Sequence, residues 1–371
     1  MNSKFTREDV LEFIDKLEIP VNEKILELYL NCKLHSAYDV MSEVLRDQVV
    51  VDLNVGGYEI PFDSSKYFVY LKDVFSRIPV GYRFLKFALK YSNKYIGFLQ
   101  HLGDLTLNPS LYWKNLFKVK SYMGGMYGVS RLLFMSLIIH TSWKNYLKKH
   151  KGKIRLLANS KGVFEKINLA DVAHKIVFPI FALELDPSSY VTDSKEPYAV
   201  FFARPQRTKG IIEAVNVFKV AKARGCLEKI YIIGGAVDEN YMRRLGLDDI
   251  VVNLGRLPSK SDVYKVISRA SVSIYPSISD TFGITVLETI AVNTPVVMYF
   301  NPANYEIFSK SNLVKIVPIF DRKAMVDAVC KVAKNPILEP NNYTIKLIEQ
   351  HKDWDRIVSK IEDAIIEMVE T

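Results

Sequence analysis

Cysteine is scarce in this chain. Only Cys32, Cys226 and Cys330 occur among 371 residues, far apart and with no C-x-x-C pair. A disulfide framework or a cysteine-held zinc ion is therefore not expected, and a reducing compartment suits the sequence. His35, His140, His150, His174 and His351 have no partner at metal-ligand spacing, so they read as structural or surface residues and no metal is expected. Long apolar runs are missing too. The longest, LLFMSLII, is far too short to cross a bilayer. The first residues, MNSKFTREDVLEFIDKLE, are charged from the start and lack the apolar core of a signal peptide, which points to a cytoplasmic protein. Neither an internal repeat nor a low-complexity segment is visible. What remains is a globular composition, long enough for two domains with full cores.

Charge is unevenly spread. The net charge is +9, yet residues 51–160 alone hold 17 Lys and Arg against 5 Asp and Glu, while residues 1–50 are net acidic. The basic segment is interleaved with aromatics, as in SLYWKNLFKVKSY and TSWKNYLKKHKGK. That mixture suits an anionic surface such as lipid headgroups, at the inner face of a membrane, or a phosphorylated acceptor. Nucleic acid is a second class of partner with the same preference. Taken singly, Trp113, Trp143 and Tyr146 read as packing residues.

Apolar periodicity of three and four makes EDVLEFIDKL and NEKILELYLNCKL helices. QVVVDLNV, KYFVYL, KYIGFLQHL and KIRLLANS read as strands, and SRLLFMSLIIHTSWKNYLKKH as a helix whose last turn gathers lysines. ELDPSSYVTDSKEP, with its prolines and small polar residues, reads as a linker. Beyond it the pattern is regular. YAVFFA, KIYIIGG, DIVVNLG, SVSIYPS and PVVMYF are apolar throughout and alternate with the amphipathic stretches KGIIEAVNVFKVAKARG, KSDVYKVISRA, GITVLETIAVN and DRKAMVDAVCKVAK. This predicts an α/β domain with a parallel sheet covered on both faces. WDRIVSKIEDAIIEMVE predicts a C-terminal helix. The resulting division is 1–185, 186–345 and 346–371.

In a doubly wound sheet ligands bind at the carboxyl ends of the strands. SISDTFG is such a loop, and the helix after it begins near Gly283 or Ile284 with free N–H groups and a positive dipole end, which favour phosphate. Asp280 and Glu288 flank that helix start. Paired carboxylates accept from vicinal hydroxyls, which sugars and ribose present. FFARPQRTKG sets Arg204 and Lys209 five residues apart after the domain's first strand. Arg204 suits a bidentate grip on phosphate and Lys209 a point charge on it. Together these side chains predict a site for a phosphorylated, polyhydroxylated ligand.

Those residues carry a family resemblance. ARPQRTKG, IIGG, LGRL and PSISDTFGITVLETIAVNTPVV are similar to the donor half of retaining glycosyltransferases of the GT-B fold, glycosyltransferase family 4. The resemblance extends more weakly to ANSKGVFEKI and to Trp354, placed like the tryptophan that starts the family's final helix. It implies two Rossmann-like doubly wound domains facing a central cleft: an acceptor-binding domain over 1–185, a nucleotide-sugar donor domain over 186–345, and a terminal helix packing back. It implies that Arg204 and Lys209 hold the donor diphosphate and Glu288 the ribose hydroxyls. Asp280 would meet the transferred sugar, and Phe282, Gly283 and Ile284 would offer it backbone contacts. Thr285 would touch a phosphate, Gly234 and Gly235 would form the glycine pair after a donor-domain strand, and Leu257 would sit beside the base. His101, with Asp104 behind it, stands where the family's catalytic histidine follows an N-terminal-domain strand. The implied activity is that of a retaining hexosyltransferase using a UDP- or GDP-sugar without cofactor or metal, on a lipid-linked, glycan or protein acceptor.

Three positions depart from the family's pattern. The first acid is Asp280 where Glu is usual, which bears on the sugar's identity. Asn293 replaces the glycine before P-V-V, a change that a left-handed helix end tolerates. No Gly-Gly loop follows an early strand, since Gly124-Gly125 comes too late, so the N-terminal domain is divergent or trimmed. Two other readings follow from these features: a sugar-nucleotide-binding scaffold without catalysis, and a DNA-modifying glucosyltransferase that uses the basic segment.

Overall fold

In the computed structural model the structure describes residues 95–98, 113–152, 154–167, 171–235, 251–278, 280–353 and part of 355–367. In chain order they form β1 (Tyr95–Phe98), α1 (Leu116–Met123), α2 (Met126–Lys149), β2 (Ile154–Ala158), α3 (Lys161–Ile167) and β3 (His174–Ile176). There follow β4 (Glu196–Phe202), α4 (Ile211–Ala223), β5 (Lys229–Ile233), β6 (Val251–Gly255), α5 (Lys260–Arg269), β7 (Ala270–Tyr275) and α6 (Ile284–Ala291). The last elements are β8 (Val296–Tyr299), α7 (Pro302–Phe308), β9 (Val314–Val317), α8 (Arg322–Lys334) and α9 (Asn342–Glu349). The described residues of 355–367 are helical. The expected helices and strands before Tyr95, and His101 and Trp354, lie outside the described residues.

All strand pairs are parallel. The small sheet runs β1-β2-β3 and the large one β6-β5-β4-β7-β8-β9. In the large sheet the chain winds outward from β4 in one direction and from β7 in the other, the doubly wound order with its switch point between β4 and β7. The apolar strands explain themselves. Along β4, Tyr198, Val200 and Phe202 face one core while Ala199 and Phe201 face another, and all are buried. A strand covered on both faces needs no polar residues.

Local signals set the helices. Ser259 caps α5 by accepting from Asp262 N at 3.1 Å. Asn301 caps α7 in the same way, with Pro302 at the first helical position, a start signal legible in NPANYEIF. Asn293 ends α6 at φ 56°, the left-handed turn that asparagine tolerates in place of glycine.

Two expectations are corrected. Cys226 and Cys330, 104 residues apart in sequence, form a disulfide with a Cα–Cα separation of 5.2 Å. It joins the end of α4 to α8, whose packing is fixed nearby by Arg322 Nε donating to Glu213 Oε1 at 3.0 Å. Cysteine spacing therefore no longer argues for a reducing compartment. Trp113, expected to pack, is 57% exposed.

The α1–α2 hairpin was not visible in the sequence as a unit. Its inner residues Val119, Tyr122, Met123, Val129 and Leu132 join the core of the large sheet. Residues of the N-terminal half therefore pack directly on the edge where the switch point opens.

Candidate functional site

Two loops meet at the carboxyl ends of β4 and β7. The first, 203–210, passes exposed Arg204 and a short 3-10 turn ending at Lys209 before α4 starts. The second, 276–283, carries Asp280 into α6. Ile278 N donates to Thr208 O at 3.1 Å and ties them together. Tyr122 of α1 reaches both, its hydroxyl lying 2.9 Å from the carbonyl oxygens of Thr208 and of Pro276.

The structure brings Lys209 and Asp280 into an ion pair, with only 15% and 12% of their side chains exposed. Asp280 also accepts from Tyr275 Oη at 2.6 Å and from Ser277 Oγ. Burial raises its pKa, but the Lys209 ammonium and the two hydroxyl donors outweigh burial, so the carboxyl sits below its usual range. Asn301 Nδ2 donates to the Asp280 backbone carbonyl at 2.8 Å and fixes the loop.

Gly283 precedes α6 at φ 77°, a backbone that a side chain would strain, and Ile284 and Thr285 form the helix's first two positions with partial exposure. The first turn of α6, with Val286 N and Leu287 N donating back to Gly283 O, lies at the switch point. Phe282 points the other way. Its ring is buried, stacked on His351 at 5.2 Å and in contact with Phe178, Phe181 and Phe308. The ring is thus spent on core packing, while the backbone of the residue leads into α6. His351 is fully buried; its Nδ1 lies 2.7 Å from Leu347 O, and burial lowers its pKa to about 4.

Glu288 lies one turn inside α6, 1% exposed. Its Oε1 takes an ion pair from Lys260 at the start of α5, and its Oε2 has no hydrogen-bond partner. Burial raises its pKa, and Lys260 offsets only part of that. Lys260 Nζ also lies 5.9 Å over the Phe202 ring and 3.9 Å from Glu184. The Tyr264 hydroxyl, buried on the same helix, likewise has no hydrogen-bond partner. Leu257 packs with Leu254 against the cluster of Phe202, Ile233 and Tyr264. These side chains form a second, partly apolar cluster next to the Lys209–Asp280 pair. Sequence reasoning missed Lys260, Tyr264 and Tyr122. The only signal for Lys260 was its place one residue past a Ser cap at the mouth of the sheet.

Gly234 and Gly235 follow β5. A Cβ on Gly234 would stand 2.5 Å from Ala203 O, so this glycine is what lets the β5 loop lie against the β4 loop. Gly235 abuts Pro205. Near the β4, β5, β6 and β7 strand ends, Lys209 and Asp280 are thus in direct contact, as are Glu288 and Lys260.

Solved structures share this architecture. The chain is similar to sucrose-phosphate synthase from Thermosynechococcus elongatus, at 16% identity and TM-score 0.53 over 78% of this chain and 71% of that one. It is similar to Anabaena HepE in complex with UDP and glucose, at 14% identity and TM-score 0.51 over 77% and 76%. A third is the pneumococcal O-GlcNAc transferase GtfA in complex with UDP and GlcNAc, at 14% identity and TM-score 0.51, where 77% of this chain spans 55% of that one. No curated protein matches the sequence significantly. The fold is α/β, that of GT-B glycosyltransferases. Residues 184–354 match the family model described as Glycosyl transferases group 1.

Proposed function

We propose that the protein transfers a sugar from a nucleoside diphosphate sugar, UDP- or GDP-linked, to an acceptor with retention at the anomeric carbon. The observation that carries this reading is the pairing of two polar side-chain clusters at one switch point. One holds a cation, an acid and a helix start; the other holds a buried carboxylate with an unpartnered oxygen.

In this reading the diphosphate lies over the first turn of α6, with Arg204 and Lys209 on its oxygens and Thr285 beside it. Lys209 turns from Asp280 toward the phosphate, and the cations stabilise the charge that builds on the departing diphosphate. Asp280, freed from Lys209 but still held by Tyr275 and Ser277, accepts from hydroxyls of the transferred sugar. Glu288 Oε2 accepts from the ribose, and Leu257 lies beside the base. The donor unit is residues 186–345, the acceptor side is residues 1–185 with His101 as its proposed catalytic histidine, and the protein works in the cytoplasm. HepE and GtfA, each solved with UDP and a sugar, support a UDP-sugar as the first donor to try.

Incubation with UDP- and GDP-sugars, followed by proton NMR of the product or of slowly hydrolysed donor, tests this. Release of sugar with the donor's anomeric configuration supports it. Release of the opposite anomer overturns retention, and no release together with no nucleotide binding overturns the whole reading.

A further inference from the structure

The α1–α2 hairpin is apolar on two sides. Its inner side is spent on the core of the large sheet. Its outer side carries Phe117 at 86% exposure, Tyr127 at 76% and Phe134 at 62%, with Trp113 and Met126 also more than half exposed. Scattered exposed apolar residues are ordinary, but four large ones on one hairpin, with Trp113 just before it, are not. Their spacing is helical. Tyr127 stands seven residues before Phe134, so that pair lies along one face of α2.

Charge on this outer side has one sign. Lys114, Lys118 and Lys120 are exposed among the aromatics. From 105 to 164 the sequence contains 11 Lys and Arg and no Asp or Glu. A protein surface in water normally mixes both signs. Sixty residues without an acid mean that nothing on this hairpin repels an anionic sheet. No helix among the described residues is long and apolar enough to cross a membrane. The combination is that of a surface that lies on a bilayer: aromatic and methionine side chains entering the interface, ammonium groups among the headgroups.

We propose that the outer face of the α1–α2 hairpin docks the protein on an anionic lipid bilayer. The hairpin's two sides give this docking a consequence. The inner side places Tyr122 against Thr208 and Pro276, so a bilayer on the outer side lies one helix layer from the switch-point edge. Under the function proposed above, that geometry fits an acceptor presented from the membrane. The docking itself does not depend on that function.

Flotation of the full chain with vesicles tests it. Phosphatidylcholine vesicles containing phosphatidylglycerol should carry the protein up, and phosphatidylcholine vesicles alone should not. Binding should weaken as salt rises. Two variants separate the contributions. Lys114→Glu with Lys118→Glu should weaken binding about tenfold or more. Phe117→Ser with Phe134→Ser should weaken it by a similar factor at unchanged salt dependence. Both replace exposed side chains, and an unshifted melting midpoint would show that they fold. Equal binding to both vesicle types, unaltered binding by both variants, or no binding to either vesicle overturns the proposal. Binding of duplex DNA or RNA in preference to vesicles, or self-association that the serine variants abolish, overturns it in favour of another occupant. Because the readout is lipid binding, loss of docking and loss of sugar transfer are distinguishable.

Discussion

Lys209 and Asp280 are ion-paired between the loops that end β4 and β7, each almost enclosed by protein. Each neutralises the other. Replacing Lys209 by Met leaves Asp280 without its cation and lets its pKa rise. Stability should fall by about 1–3 kcal/mol, the cost of a stranded polar group. Adding Asp280→Asn should restore much of the melting midpoint, because a neutral amide needs no cation there. Sugar transfer should not return, and the single Lys209 variant should lose about 2–4 kcal/mol of transition-state stabilisation. Recovery of activity together with stability would reduce the pair to a structural role.

Glu288 gives the opposite balance. Burial raises its folded pKa above the unfolded value, so ionising it costs more in the fold than in the unfolded chain. A raised acid weakens stability as pH climbs from the unfolded pKa through the folded one, and the loss persists above. Glu288→Gln should therefore melt no lower than the parent at pH 7, while its affinity for a nucleoside diphosphate falls. Calorimetric titration beside a melting curve checks both halves. A variant that binds as the parent does would remove Glu288 from the ribose.

Lys260 holds Glu288 toward its ionised form. Lys260→Met should move the acidic limb of the pH–affinity profile upward, because the carboxyl then titrates closer to neutrality. Lys260→Arg should restore the parent profile. An unshifted limb in Lys260→Met would show that the ion pair has no bearing on the site.

His351 makes stability depend on acid. Its pKa drops from 6.5 in the unfolded chain to about 4 in the fold, so below pH 6.5 the unfolded state takes up a proton that the folded state refuses. Stability contributed by this residue is full above 6.5 and declines down to about 4, by about 3 kcal/mol in all. His351→Gln should be less stable throughout, since it loses the stack on Phe282, but its stability should vary less across that window. Denaturant midpoints at several pH values measure the slope, and an unchanged slope would assign the acid sensitivity to other groups.

Much of this site was legible because it is local. The apolar strands, the FG turn before α6, the charged loop after β4 and the acid one turn inside a helix all sit within short stretches whose chemistry speaks for itself. What was hidden depends on contacts between distant segments. Tyr122 meets Thr208 and Pro276 across 86 and 154 residues. Lys260 meets Glu288 across 28, and Cys226 meets Cys330 across 104. No spacing rule encodes such pairs, because tertiary packing of helices on the sheet brings them together. β9, VKIV, was passed over for a different reason, a four-residue strand being too short to show a period. The corrected reading of Trp113 has the same root: a tryptophan's burial depends on what the fold packs against it, and just before α1 nothing covers that residue.

The central claim is that the switch-point edge binds a nucleoside diphosphate through Lys209 on one side and Glu288 on the other. Isothermal titration of UDP, and of GDP, into the parent, Lys209→Met and Glu288→Gln tests it most directly. The account predicts binding of one nucleotide to the parent and about tenfold or greater loss in each variant, the lysine loss fading at high salt and the glutamine loss persisting. Binding of neither nucleotide to the parent, or equal binding to all three proteins, would contradict it.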